Sequence, residues 1–172
     1  DNGDQVIVNT NDCPFELSLD SAKTIMEKYD HIDLALIGYT YSSAYPQCFD
    51  MPLDEKLIAK QKLEDEFLLK AVNFVNLFKP KYYMPFAGRY TLAGKLSKLN
   101  DYRGVTELQD AYDYYISTDK IDQDEHKCII LNSQSSFDIN TGKQSQDYKR
   151  ITEQEKNDYI KNTLSKVKLD YE

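Results

Sequence analysis

Asp12 is the residue whose type and setting most invite chemistry. It follows a short apolar run, Val6-Ile7-Val8, and has Asn9, Asn11 and Cys13 around it. Ligands of open α/β sheets collect outside the carboxyl ends of the strands, so a carboxylate fixed there could hold a metal or orient water. The same residues also suit a plain turn, because Asn-Asp supplies its own side-chain bonds to the backbone. Arg89, with Lys95 after it, could take the phosphate of a phosphosugar or nucleotide-sugar, arginine through a two-pronged contact. A surface ion pair with an acid is the competing role.

Tyr39, Tyr41, Tyr45 and Phe49 crowd one loop. They could stack on a sugar ring or base, with Tyr45 as the candidate substrate contact, or pack a long loop onto the sheet. Asp50, Asp54 and Glu55 could join Asp12 around a hard cation, although Asp54 as a helix cap is the simpler account. Cys13 and Cys48 have no histidine placed by sequence to activate them, so both read as buried or half-buried thiols. His31 falls at the amino end of its strand and His126 in a polar loop.

The elements that must position these residues follow from the apolar pattern. Val6–Val8 reads as a buried strand. Ser18 or Asp20 can cap a helix over Ser21–Tyr29, with Ala22, Ile25 and Met26 at helical spacing. Ile32–Gly38 is a second buried strand, and the strand–helix–strand order predicts a parallel pair. Asp54 to about Lys79 is a long helix with Leu63, Phe67, Ala71, Val75 and Phe78 in one stripe, stopped by Pro80. Lys81–Pro85 is a third strand. Thr91–Asn100 and Glu107–Ile116 are helical, and Cys128–Leu131 is a strand. Ser135–Gly142 makes a strand and turn, reversing at Asn140-Thr141-Gly142. A capping-box pattern at Thr152–Glu155 opens a last helix to about Lys168.

The totals bound the function. With 172 residues and no internal repeat, the chain reads as a single domain, 1–172. A net charge of -8 argues against nucleic-acid binding, which needs a basic face. No run is apolar and long enough to span a bilayer. Residues Asp1–Gln5 lack the charged and apolar regions of a signal peptide, and the three cysteines form no disulfide framework, so a reducing cytoplasm is expected. Asp1-Asn2-Gly3-Asp4 resembles a hairpin tip feeding the first strand, which suggests that a partner strand lies outside the chain.

The succession VNTND, IDLALIGY, YPQCF, the long helix and KPKYYMPFAGRYTLAGK resembles the C-terminal half of a metallo-β-lactamase-fold protein. The similarity is to the β-lactamase-like domains of CMP-N-acetylneuraminate hydroxylase and the L-ascorbate-6-phosphate lactonases. It covers residues 5–100 well and the rest loosely. The resemblance implies an α/β fold that is half of an αββα sandwich, a mixed sheet flanked by helices. Residues 1–100 would be the family-like core and 101–172 an extension with extra strands and a helix. It implies that Asp12 corresponds to the family's metal-bridging aspartate, with zinc, manganese or iron as the metal, and that the protein hydrolyses a sugar or sugar-nucleotide derivative in surface-polysaccharide metabolism.

The departures are large. No HxHxDH occurs, and no histidine stands near Pro85-Phe86-Ala87-Gly88. The remaining ligands must then come from a missing N-terminal half-domain, and this chain alone is expected to be inactive. The other reading is a degenerate, non-catalytic half-domain whose uncovered sheet face binds that half or a second copy.

Overall fold

Three crossovers build the sheet. In a computed structural model describing residues 5–87 and 89–169, β1 (Ile7–Asn9) leads through α1 (Phe15–Lys28) to β2 (Leu34–Gly38). From β2, α2 (Leu53–Phe78) leads to β3 (Tyr82–Phe86). A 3-10 stretch, Gly94–Tyr102, and α3 (Leu108–Ser117) then lead to β4 (Lys127–Cys128). The four strands lie in the order β1-β2-β3-β4, every neighbouring pair parallel. Short β5 (Phe137–Asp138) and β6 (Lys143–Gln144) pair antiparallel in a separate hairpin, and α4 (Glu153–Asn162) closes the described chain with a 3-10 turn at Leu164–Lys166. The protein is thus α/β, but the main sheet is parallel, not mixed; antiparallel pairing is confined to the hairpin.

Stepping along one direction with crossovers of one hand places successive helices on the same side of a sheet. The packing agrees. Val8, Ala35, Tyr83 and Cys128 stand in one row across the sheet, and the first three are buried. That row meets Ala22 of α1, Phe74 of α2 and Tyr115 of α3 in one core. Phe15 packs edge-on to Phe74 at 5.0 Å, and Tyr83 edge-on to Tyr115 at 6.1 Å.

The alternate rows face the other way. On that far face Ile7 is 48% exposed and Leu36, Met84 and Phe86 are half-buried. The β5–β6 hairpin covers one corner of it. Phe137 packs edge-on to Tyr82 at 4.8 Å, and Gln5 donates to Asn140 at 2.7 Å. Gly142, at φ +68°, lies so close that a Cβ there would stand 2.5 Å from the Tyr82 hydroxyl. All-parallel sheets normally bury both faces, so this half-covered one is unusual.

Several expectations need correction. Helix α1 starts at Phe15, not at Ser21, and neither Ser18 nor Asp20 caps it; Pro14 precedes the first turn. The cause is tertiary, since Phe15 turns inward onto Phe74 instead of trailing from the strand. Asp54 is not a cap either: Pro52 holds that place and Asp54 sits in the first turn of α2. The stripe on α2 is broader than expected and adds Leu68, Val72 and Phe74, while Leu63 and Phe67 are only half-buried in the middle of the helix. There Tyr41 stacks on Phe67 at 5.0 Å. Cys48 is exposed. The segment after Arg89 is helical as expected, but as a 3-10 stretch over Gly94–Tyr102. The expected strand at Cys128–Leu131 is regular only at Lys127–Cys128; the Ile129 amide still donates to the Tyr83 carbonyl at 2.9 Å, and Ile129 and Ile130 are buried beyond the strand. The capping box at Thr152 and the reversal before Lys143 form as expected. The hairpin tip at Asp1–Asp4 and Gly88 of the PFAG run lie outside the described residues.

Candidate functional site

Asp12 lies where a strand-end residue should. The amide of Thr10 continues the ladder to the Leu36 carbonyl at 2.9 Å, and the Cys13 amide then closes a turn onto the Thr10 carbonyl at 3.0 Å. Asp12 holds the third position of that turn at φ +59°, the left-handed conformation a type II turn needs there. Asn9 and Asn11 brace it. The Asn9 side chain accepts the Asn11 amide at 2.9 Å, and the Asn11 side chain donates to the Asp12 carboxylate at 3.2 Å. The turn rests against the end of β2, with Asn11 Cα 3.7 Å from where a Gly38 Cβ would stand. Asp12 is therefore exposed on the carboxyl edge, beside the loop that leaves β2.

Its neighbourhood does not make a metal centre. Among the described residues no three His, Cys, Asp or Glu side chains converge on a point. His31 pairs with Asp33 at 3.3 Å, and His126 Nδ1 meets the Pro80 carbonyl at 2.8 Å; both sit at the amino ends of strands, across the sheet from Asp12. Asp12 could offer one ligand and needs the others from elsewhere.

The aromatic loop divides by role. Tyr39 is 2% exposed, and burial pushes its phenol up to about 12, with Arg89 pulling against that. Tyr41 packs on Phe67. Gln47, 1% exposed, donates to the Ser43 carbonyl and, at 2.7 Å, to the Tyr90 hydroxyl, which itself donates to Ser43 at 2.7 Å. That knot pins the loop to the segment after β3. Tyr45 stands outside it, 36% exposed and edge-on to Phe49 at 5.2 Å.

Arg89 belongs to a different constellation. Its Nη2 donates to the Glu107 carboxylate at 2.5 Å. The same carboxylate receives Lys156 at 3.1 Å and Arg103 at 3.5 Å. Arg103 is 3% exposed and is spent mainly on backbone, donating to the Asn100 carbonyl at 3.0 Å and to the Tyr90 carbonyl. Burial pulls the Lys156 ammonium down, but the Glu107 carboxylate outweighs it and leaves the group raised.

This cluster borders a cavity of about 800 Å³. Arg89 lies past β3 and Asn132 past β4, so the cavity opens off the carboxyl end of that half of the sheet; the start of α3 and one face of α4 complete it. Neither Asp12 nor Tyr45 lines it, so the three candidates do not share a site. Arg103, Glu107 and Lys156 carried no signal in the sequence, because their meeting depends on how α3 and α4 pack. No family model matches the chain, and no curated protein or solved structure shows significant similarity to it.

Proposed function

We propose that this chain is the C-terminal half of a metal-dependent hydrolase of metallo-β-lactamase type, and that Asp12 gives one ligand to a zinc, manganese or iron site completed by another polypeptide surface. The observation that supports it is the Asp12 carboxylate itself, exposed on the carboxyl edge and held by a braced turn. The substrate proposed for that centre is a small anionic sugar or sugar-nucleotide derivative; Arg89, paired with Glu107, and Tyr45, packed on Phe49, stand apart from Asp12 and take no part in the proposal. A reducing cytoplasm is the proposed setting, in keeping with the three free cysteines, and no helix among the described residues is long and apolar enough to cross a membrane.

Manganese titration followed by NMR tests the proposal. The expected result is weak, local broadening at Asn11–Cys13, lost in Asp12→Ala, with no turnover of lactone, ester or phosphoester substrates. Broadening centred elsewhere, or robust turnover by this chain alone on adding zinc or manganese, would refute it.

The far sheet face favours a second reading, a non-catalytic half-domain used for assembly. Ile7 is 48% exposed beside half-buried Leu36, Met84 and Phe86. On this reading the chain self-associates at micromolar concentration or binds an apolar dye, and Ile7→Lys abolishes either effect without loss of fold. A monomer that binds no dye would rule it out.

A further inference from the structure

We infer that the cavity off the carboxyl ends of β3 and β4, closed by α3 and α4, is a binding site for an uncharged amphiphile: an apolar or aromatic ring that carries hydroxyl groups. The charge balance carries the first half of the argument. Arg89, Lys149, Arg150 and Lys156 line the cavity, and so do Glu107, Asp147, Glu153 and Glu155. The two signs cancel. Most of these groups are also spent on one another. Arg89 and Lys156 hold Glu107, Lys156 also meets Glu153 at 3.3 Å, and Arg150 grips Asp113. Glu155 is taken up by the Thr152 cap. Asp110 belongs to the neighbouring space between α2 and α3, beside Glu64 and Lys60. An ion of either sign entering the cavity loses water and meets no unpaired counter-charge, a cost that a neutral molecule escapes.

The walls carry the second half. Leu108, Ile151, Tyr159, Ile160 and Leu164 give an apolar lining that solvent reaches, with Ile151 50% and Tyr159 58% exposed. Thr91, Ser133, Tyr148 and Tyr159 add hydroxyls, none of which bonds to another described residue. Apolar surface beside neutral hydroxyls matches a ring that bears hydroxyls, and the two tyrosine rings suit contact with its face. The carboxyl ends of parallel strands are where such sheets take their ligands, and about 800 Å³ is within the range of small-molecule sites. The space stays open because α4 is held off the body at three points. No residue of α4 is buried. Gln109 donates to the Ile151 carbonyl at 2.9 Å just before the helix, Lys156 reaches Glu107 at 3.1 Å, and beyond the helix the Val167 carbonyl lies 2.7 Å from where a Gly94 Cβ would stand.

The inference does not rest on the Asp12 metal reading. It is tested on metal-free protein in chelator, so either can fail alone. The probe is 2-naphthyl glucoside, followed by its naphthyl fluorescence, which no tryptophan of this chain obscures. Its matched ions are the naphthyl glucuronide, with a carboxylate in place of the primary alcohol, and the amino-deoxy glucoside with an ammonium there. The glucoside is expected to bind saturably at one equivalent. Both ions should bind at least about tenfold more weakly, the low end of the cost of leaving a charge unpaired. Tyr159→Ser and Ile151→Ser should each weaken the glucoside about fivefold, the worth of covering roughly half an apolar side chain. Tyr159 is the deciding position, because a residue 58% exposed on α4 can change without loss of fold. No saturable binding of the glucoside, either ion matching or exceeding it, or unchanged affinity in Tyr159→Ser would overturn the assignment.

Discussion

Arg89 and Arg103 touch the same carboxylate, yet removing each should have very different consequences. Arg103 is 3% exposed and ties together two backbone segments and the start of α3. Arg103→Ala deletes two charge-assisted bonds to carbonyls, each worth about 1.5–3 kcal/mol. It also removes a cation 5.5 Å above the Tyr90 ring. Two effects reduce the loss. Tyr90 is half-buried, so water can reach its freed carbonyl. Glu107 keeps Arg89 at 2.5 Å and Lys156 at 3.1 Å, so no buried charge is left unpaired. The cost should therefore fall near the low end, about 3 kcal/mol. Arg89→Ala removes an ion pair from a side chain 40% exposed and should cost about 1 kcal/mol or less. Urea denaturation of both variants against the parent chain reads the difference directly. If Arg103→Ala costs under about 1 kcal/mol, or no more than Arg89→Ala, the guanidinium is not holding this region as argued.

Glu64 is held above the usual carboxylate range by burial, with Lys60 pulling it back. A carboxyl raised in the folded state favours folding fully below its unfolded value, and that contribution is lost as pH rises through the folded value. Glu64→Gln should then raise the urea midpoint at neutral pH and have little effect at about pH 4; an equal change at both would count against it. Gly142 stands at φ +68° with the Tyr82 hydroxyl 2.5 Å from a would-be Cβ. Gly142→Ala should cost about 1–2 kcal/mol for the left-handed backbone alone, and should raise apolar-dye binding as the hairpin lifts from the far sheet face. A variant with parental melting temperature and no dye signal would remove the hairpin as that face's cover.

The order of strands and helices was legible in the residues because its signals are local. Apolar runs closed by Gly38, Pro80 and the Asp12 turn mark β1, β2, α2 and β3, and Thr152 with Glu155 marks the start of α4. Placing Asp12 at a strand's carboxyl end also needed no more than the run before it. What packing alone decided was non-local. Phe15 joined α1 because Phe74 was there to receive it, although the two lie far apart in sequence. The all-parallel order, which leaves Ile7 and Met84 on a half-covered face, depends on which neighbour each strand chose. Arg89, Arg103 and Lys156 meet on Glu107 because the start of α3 and a face of α4 close on the end of β3, and charged residues carry no periodicity that would announce such a meeting. Local sequence specifies backbone conformation and burial preference, while a cavity is a relation among distant segments and exists only once they have packed.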